Sequence, residues 1–67
     1  MNVTKFSVEN LNSSSDIESM RGAVQSLDGV HAVRVDNVSN TITVEYEDNL
    51  STKKISDTIN RYKQVRH

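Results

Sequence analysis

The side chains of this 67-residue chain that could do chemistry lie in one short stretch, three serines followed by an aspartate, Ser13 to Asp16. Hydroxyl and carboxylate oxygens are hard ligands, so Ser13 and Asp16 could form a weak site for a divalent cation. Alternatively, hydroxyls before a helix could bind phosphate or sulfate together with exposed backbone amides and the helix dipole. Asp16 disfavours the anion, and one carboxylate is too little for a tight cation site. Both alternatives therefore stay open, and neither is strong.

The same stretch also predicts an ordinary helix start. Ser15 and Glu18 have the spacing of a capping box, in which the two side chains satisfy backbone amides that lack partners in the helix. Asp16 would then lie in the first turn, where the helix dipole favours a negative charge. Apolar residues recur behind it at three- and four-residue spacing and predict one buried helix stripe, formed by Ile17, Met20, Val24 and Leu27. Gly29 is expected to end the helix.

Size and composition exclude several classes of protein. A chain this short forms one domain, residues 1–67, and it contains no cysteine and only two histidines, His31 and His67. No carboxylate pair and no nucleophile with a base stands at a motif spacing, so we expect neither an enzyme nor a bound cofactor. A net charge of −1 with few aromatic residues argues against a nucleic-acid partner. No apolar run is long enough for a signal peptide or membrane insertion, which makes a cytoplasmic protein the expectation.

Alternating apolar and polar residues predict strands around two helices. The apolar pairs are Phe6 and Val8 in the first strand, and Ile42 and Val44 in the third. The second strand, residues 30–36, has an apolar phase that slips between Val30 and Val33, as a β-bulge would cause. Ser51 can cap a second helix, and residues 63–66 leave room for a short edge strand. This order predicts an α+β fold, a ferredoxin-like βαββαβ sandwich with a four-stranded antiparallel sheet and two helices on one face.

These patterns together resemble the heavy-metal-associated (HMA) domain, the copper-chaperone-like family. The resemblance covers almost the whole chain and is carried by Phe6-x-Val8, Ser26-Leu27-Asp28-Gly29-Val30, Val33-x-Val35, Ile42-x-Val44-x-Tyr46, and Leu50-Ser51 before Ile55 and Ile59. The family's loop, Gly-Met-x-Cys-x-x-Cys, falls on residues 10–16. Leu11 then takes the place of the methionine, and Ser13 and Asp16 take the places of the two cysteines.

The resemblance implies a degenerate metal-binding motif. Cu(I) is a soft ion held by thiolates, and a hydroxyl and a carboxylate are hard, weak ligands for it. Met20 lies on the inward stripe and both histidines lie outside the loop, so none of them replaces a cysteine. The implied function is a protein-interaction or regulatory module that does not transfer metal. The alternatives are heavy-metal binding or transport through a weak oxygen site, and anion binding at the start of the first helix.

In the HMA family the metal loop and the helix ends form the docking surface for a partner domain. Carried over to this sequence, that surface comprises Leu11, Asn12, Ser13, Ser14, Ser15, Lys53, Lys54 and Tyr62. The implied partner is another small domain of the same fold or a metal-transport ATPase, and the chain itself is expected to be a monomer. Two plainer interpretations stay open: that the lysines belong to a solvated helix face, and that Tyr62 is the last apolar residue of the second helix.

Overall fold

The computed structural model describes residues 1–9, 11, 14–62 and 65–66, and for residues 14, 65 and 66 it describes the backbone alone. The elements in chain order are β1 (Asn2–Val8), α1 (Ser14–Gln25), β2 (Val30–Asp36), β3 (Thr41–Tyr46), α2 (Thr52–Asn60) and β4 (Val65–Arg66). None of the helices within these ranges is long and apolar enough to span a membrane.

The sheet is antiparallel, with β3 paired to β1 on one side and to β2 on the other. The two-residue β4 pairs with Ser7 and Val8 at the end of β1, which gives the order β2-β3-β1-β4. The two helices contact each other, α1 contacts β2, and α2 contacts β4. Two helices packed on an antiparallel sheet are thus confirmed, in the arrangement expected of the ferredoxin-like fold.

The β2–β3 hairpin contains the predicted bulge. The pairing register between the two strands shifts between Val30 and Ala32, so His31 is the extra residue. At the other end of the hairpin, the carboxylate of Asp36 accepts hydrogen bonds from the backbone N–H groups of Val38 at 2.9 Å and Ser39 at 3.4 Å. An aspartate that binds backbone amides two and three residues ahead stabilises a tight turn without help from other elements.

The core lies between the helices and one face of the sheet. Its buried apolar residues come from β1, α1, β3 and α2 and from the loop after β1: Phe6, Val8, Leu11, Met20, Val24, Ile42, Val44, Tyr46, Ile55 and Ile59. β2 adds three half-buried valines that pack against them, Val30, Val33 and Val35. The only hydroxyl on a buried aromatic ring, that of Tyr46, lies 2.8 Å from Thr4 Oγ1, so its burial leaves no polar atom unpaired. Lys5, Ser7 and Arg34 point to the other face of the sheet and are exposed, as the alternation predicts.

The predicted ends of α1 are wrong in two respects. The helix begins at Ser14, so Ser15 lies inside the first turn and is not the residue that precedes the helix. The helix ends at Gln25, well before Gly29. Gly29, at φ 101°, instead lies in the turn that enters β2, where its carbonyl accepts a hydrogen bond from Glu47 N–H at 2.8 Å. For α2 the prediction is confirmed: Ser51 Oγ accepts the N–H of Lys54 at 3.2 Å.

Candidate functional site

The chain segments that could form a site meet at one end of the molecule. We call it the loop end and define it by Leu11, the first turn of α1, the turn 36–40 and Tyr62. Strand pairing brings these segments together: Ser7 at the end of β1 pairs with Thr41 at the start of β3, and Val8 pairs with Val65. Because α2 runs from the end of β3 towards β4, its last residues also lie at this end.

Leu11 fixes the loop that precedes α1. Its side chain is 1% exposed and packs in the core, the place that the alignment gives to the family's methionine. Its backbone N–H donates to Asn40 Oδ1 at 3.2 Å. The loop is therefore attached both to the core and to the β2–β3 turn.

The two positions that replace the family's cysteines differ in how much can be said of them. Asp16 is exposed in the first turn of α1, where the positive end of the helix dipole stabilises its carboxylate. Ser13 lies outside the described residues, as does Asn12, and so does the side chain of Ser14. Within the described ranges, no group of three or more His, Cys, Asp or Glu residues is arranged to hold a metal ion.

The structure does not bring Lys53 and Lys54 to the loop end. β3 ends at Tyr46, which pairs with Asn2 at the beginning of β1, and α2 starts six residues later. Both lysines therefore lie at the opposite end of a molecule whose longest dimension is 31 Å. There Lys53 Nζ makes a surface ion pair with Asp57 at 3.0 Å. The location predicted for this pair of lysines was wrong, and the plainer interpretation of a solvated helix face describes Lys53.

Tyr62 is placed differently and lies at the loop end. It follows α2, its N–H donates to the carbonyl of Ile59 at 2.9 Å, and its side chain is 39% exposed. A tyrosine with part of its ring covered and part in solvent can contribute to a contact surface. The apolar stripe of α2 thus ends at Ile59, which is buried, rather than at Tyr62.

One ionisable group at the loop end has a shifted pKa. The hydrogen bonds from the N–H groups of Val38 and Ser39, together with one from the Ser39 side chain, lower the pKa of Asp36 below its ordinary value, and the charge of Lys5 adds a smaller effect. Asp36 therefore stays ionised and keeps the turn closed at neutral pH.

Sequence reasoning missed the residue that joins the loop to the turn. Asn40 was expected only as part of a polar turn, yet it contacts both Val8 and Leu11 through its carbonyl and its side chain. The sequence feature that could have indicated its role is its position in the turn, immediately before β3. Asparagine is the residue, apart from glycine, that most readily adopts a positive φ, and here φ is 55°.

Comparison with solved structures finds several small domains that share this fold. The CopZ metallochaperone superposes with a TM-score of 0.89 at 19% identity, covering 97% of this chain and 100% of that one. The yeast copper transporter domain Ccc2a gives 0.85 at 16% identity, covering 100% and 97%. The N-terminal domain of a potential copper-translocating P-type ATPase from Bacillus subtilis gives 0.86 at 17% identity, covering 96% and 82%. No protein-family model and no curated protein matches the sequence.

These likenesses establish the fold. The chain has the HMA, copper-chaperone-like fold, as the sequence motifs predicted, and the absence of cysteine from its sequence fits a degenerate form of the metal-binding motif.

Proposed function

We propose that this domain is a protein-interaction or regulatory module that keeps the copper-chaperone-like fold but does not transfer soft metal ions. One observation carries the proposal: the sequence contains no cysteine, and the resemblance aligns Ser13 and Asp16 with the family's two metal-binding cysteines. A pair of thiolates is what gives such a loop its affinity for Cu(I), and hydroxyl and carboxylate oxygens do not replace them.

Two other side chains with soft or borderline donor atoms, Met20 and His31, support the proposal by their locations. Met20 is 0% exposed, so its thioether cannot reach an ion at the surface without unfolding of the core. His31 faces Glu47 at 2.6 Å, next to Val30 and Tyr46 and therefore at the end of the sheet opposite the loop end. Neither residue can supply the loop with a substitute ligand.

The proposed contact surface is the loop end, which does not include Lys53 and Lys54. Of the residues expected from the sequence, Ser15, Asp16 and Tyr62 are exposed there, and the buried side chain of Leu11 anchors the loop beneath them. We infer a partner of the same fold, either a separate small domain or a module of a metal-transport ATPase, since the similar structures include a copper binding domain from the P-type ATPase HMA7. The pairing of β4 with β1 supports a complete four-stranded sheet beside this surface. A monomeric, cytoplasmic protein remains the expectation from the sequence.

The chemical half of the proposal is tested by amide-resolved NMR titration of the labelled domain with Cu(I) under anaerobic conditions, and then with Zn(II) and with phosphate. We expect no shifts confined to residues 11–17 with any of the three. Stoichiometric Cu(I)-induced shifts there would overturn the proposal. Shifts with Zn(II) or phosphate would instead identify the oxygen-ligand or the anion alternative.

The matched variant is Ser13→Cys with Asp16→Cys, which restores the family's ligands. We expect it to fold and to bind one Cu(I), with shifts centred on Leu11 to Ile17, while a control with only Asp16→Cys binds far more weakly because one thiolate is missing. A double variant that folds and still ignores copper would contradict the alignment of residues 10–16 with the family's loop.

The interaction half is tested with a named partner. The labelled domain is titrated with the N-terminal ATPase domain from Bacillus subtilis and, separately, with the CopZ metallochaperone. Binding at the loop end would shift the amides of Leu11, Ser15, Asp16 and Tyr62 and leave those of Lys53 and Lys54 in place. Shifts centred on the two lysines would place the contact surface at the wrong end and refute this part of the proposal.

A further inference from the structure

We infer that Asn40, in the turn before the neighbouring strand β3, is a positioning residue that holds Leu11 in the loop between β1 and α1. Two hydrogen bonds carry the inference. The carbonyl oxygen of Asn40 accepts the N–H of Val8 at 2.9 Å, and its side-chain Oδ1 accepts the N–H of Leu11 at 3.2 Å. Asn40 thus binds the last residue of β1 and, three residues further on, the buried residue within the loop.

The backbone of Asn40 explains why this residue type suits the position. Its φ of 55° lies in the left-handed region, where a side chain with a β-carbon is normally strained and asparagine is tolerated. Glycine would adopt the same backbone more easily but has no side-chain oxygen. Aspartate would keep an oxygen at the same distance from the backbone. The two substitutions therefore separate the backbone requirement from the side-chain contact.

Asn40 can hold the loop because it is itself held. The turn that precedes it is closed by the carboxylate of Asp36, and the hydroxyl of Ser39 lies 2.8 Å from Thr41 Oγ1. Thr41, the next residue, is already paired with Ser7 in the sheet. The turn 36–40 is thus a rigid support, and the side chain of Asn40 transmits its position to Leu11.

The consequence concerns the loop's function. Leu11 belongs to the stretch that the resemblance aligns with the family's metal loop, so the Asn40 contact attaches that stretch to the β2–β3 turn at Leu11. The inference deepens the proposed function, on which it rests only for the claim that a partner contacts this loop. The hydrogen bonds themselves can be tested without any partner.

The test compares amide hydrogen exchange of Leu11 with that of Val8 in folded variants. In Asn40→Gly the side-chain bond is lost and the backbone bond remains, so Leu11 should exchange roughly fivefold to tenfold faster while Val8 is unchanged. Asn40→Asp should restore slow exchange at Leu11. Asn37→Ala, a change to an exposed residue of the same turn, is the matched control and should alter neither amide.

Two results would overturn the inference. Unchanged exchange at Leu11 in Asn40→Gly would show that the side-chain bond does not hold the loop. Equal acceleration at Val8 and Leu11 would show that Asn40 only stabilises the domain as a whole. If amide exchange accelerates at Leu11 and not at Val8, but neither named partner domain binds, the positioning role stands and the proposed function fails.

Discussion

His31 Nε2 lies 2.6 Å from Glu47 Oε1, across the end of the hairpin where the bulge begins. The bulge inserts His31 as an unpaired residue, and the carbonyl of Gly29 fixes Glu47 beside it. The pair joins the start of β2 to the residue after β3. His31, the one histidine among the described residues, is therefore engaged by Glu47 at a place far from Asp16.

We expect this pair to contribute little to stability. Both side chains are about half exposed, and exposed ion pairs contribute about 1 kcal/mol or less to the free energy of unfolding. Glu47→Gln should therefore lower that free energy by less than about 1 kcal/mol in urea unfolding. Asp48→Asn is the control, since its carboxylate is 78% exposed and meets only the N-terminal amine. A much larger loss for Glu47→Gln would contradict this estimate.

The Asp36 turn should make stability depend on pH in acid. Because hydrogen bonds lower the pKa of Asp36 in the folded state, the unfolded chain binds a proton more readily. The stabilisation is therefore complete above the ordinary aspartate value of 3.8 and is lost as the pH falls through the lower, folded-state value. Asp36→Asn should remove this part of the pH dependence.

The measurement is urea unfolding of both proteins at several pH values, with the carboxyl group of Asp36 followed by NMR. The advantage of the wild type over Asp36→Asn should be constant near neutrality and should decrease only in acid. An advantage that instead grew as the pH fell would refute the assigned direction of the pKa shift.

The chain's two glycines should respond in opposite directions to alanine. Gly22 lies inside α1, and a β-carbon added there would meet nothing within 4 Å. Gly22→Ala should raise the free energy of unfolding by about 0.5–1 kcal/mol, because alanine loses less backbone entropy in a helix. Gly29 has room for a β-carbon but a φ of 101°, so Gly29→Ala should cost about 1–3 kcal/mol in strain. Thermal or urea unfolding measures the change in free energy for each substitution. Equal changes for Gly22→Ala and Gly29→Ala would contradict the positive φ of Gly29.

Substitutions of Leu11 test its place as the family's methionine. Leu11→Met nearly conserves volume and should cost less than about 1.5 kcal/mol, whereas Leu11→Ala should cost about 2–5 kcal/mol through the cavity it leaves. Val38→Ala is the control: its side chain is 90% exposed, and the change should stay within about 0.5 kcal/mol. If Leu11→Ala lowers the free energy of unfolding as little as Val38→Ala does, the loop is not anchored in the core.

Most of the fold follows from local patterns in the sequence. Alternation located β3, and the phase slip between Val30 and Val33 predicted the bulge of β2, which the structure places at His31. Ser51 was identified as the cap of α2. Each of these depends on a periodicity or a contact within a few residues, which a sequence displays directly. The start of α1 could not be located in this way, because three adjacent serines have the same capping chemistry and tertiary packing selects among them.

The site was harder to predict because it depends on contacts between distant segments. Asn40 and Leu11 are 29 residues apart, and no local pattern connects them. The placement of Lys53 and Lys54 could have been deduced: a helix that follows β3 must begin where β1 begins, since those strands are antiparallel. A docking surface transferred from the family by residue type alone does not take the strand directions into account.

The complete burial of Met20 has a chemical consequence. The sequence's other methionine, Met1, is 68% exposed, so a mild peroxide treatment should convert Met1 to its sulfoxide while Met20 stays protected. A thioether in the core reacts only during those moments when the domain opens. The rate at which Met20 gains an oxygen atom, read by mass spectrometry, therefore records how often this small domain unfolds, without any dye or denaturant.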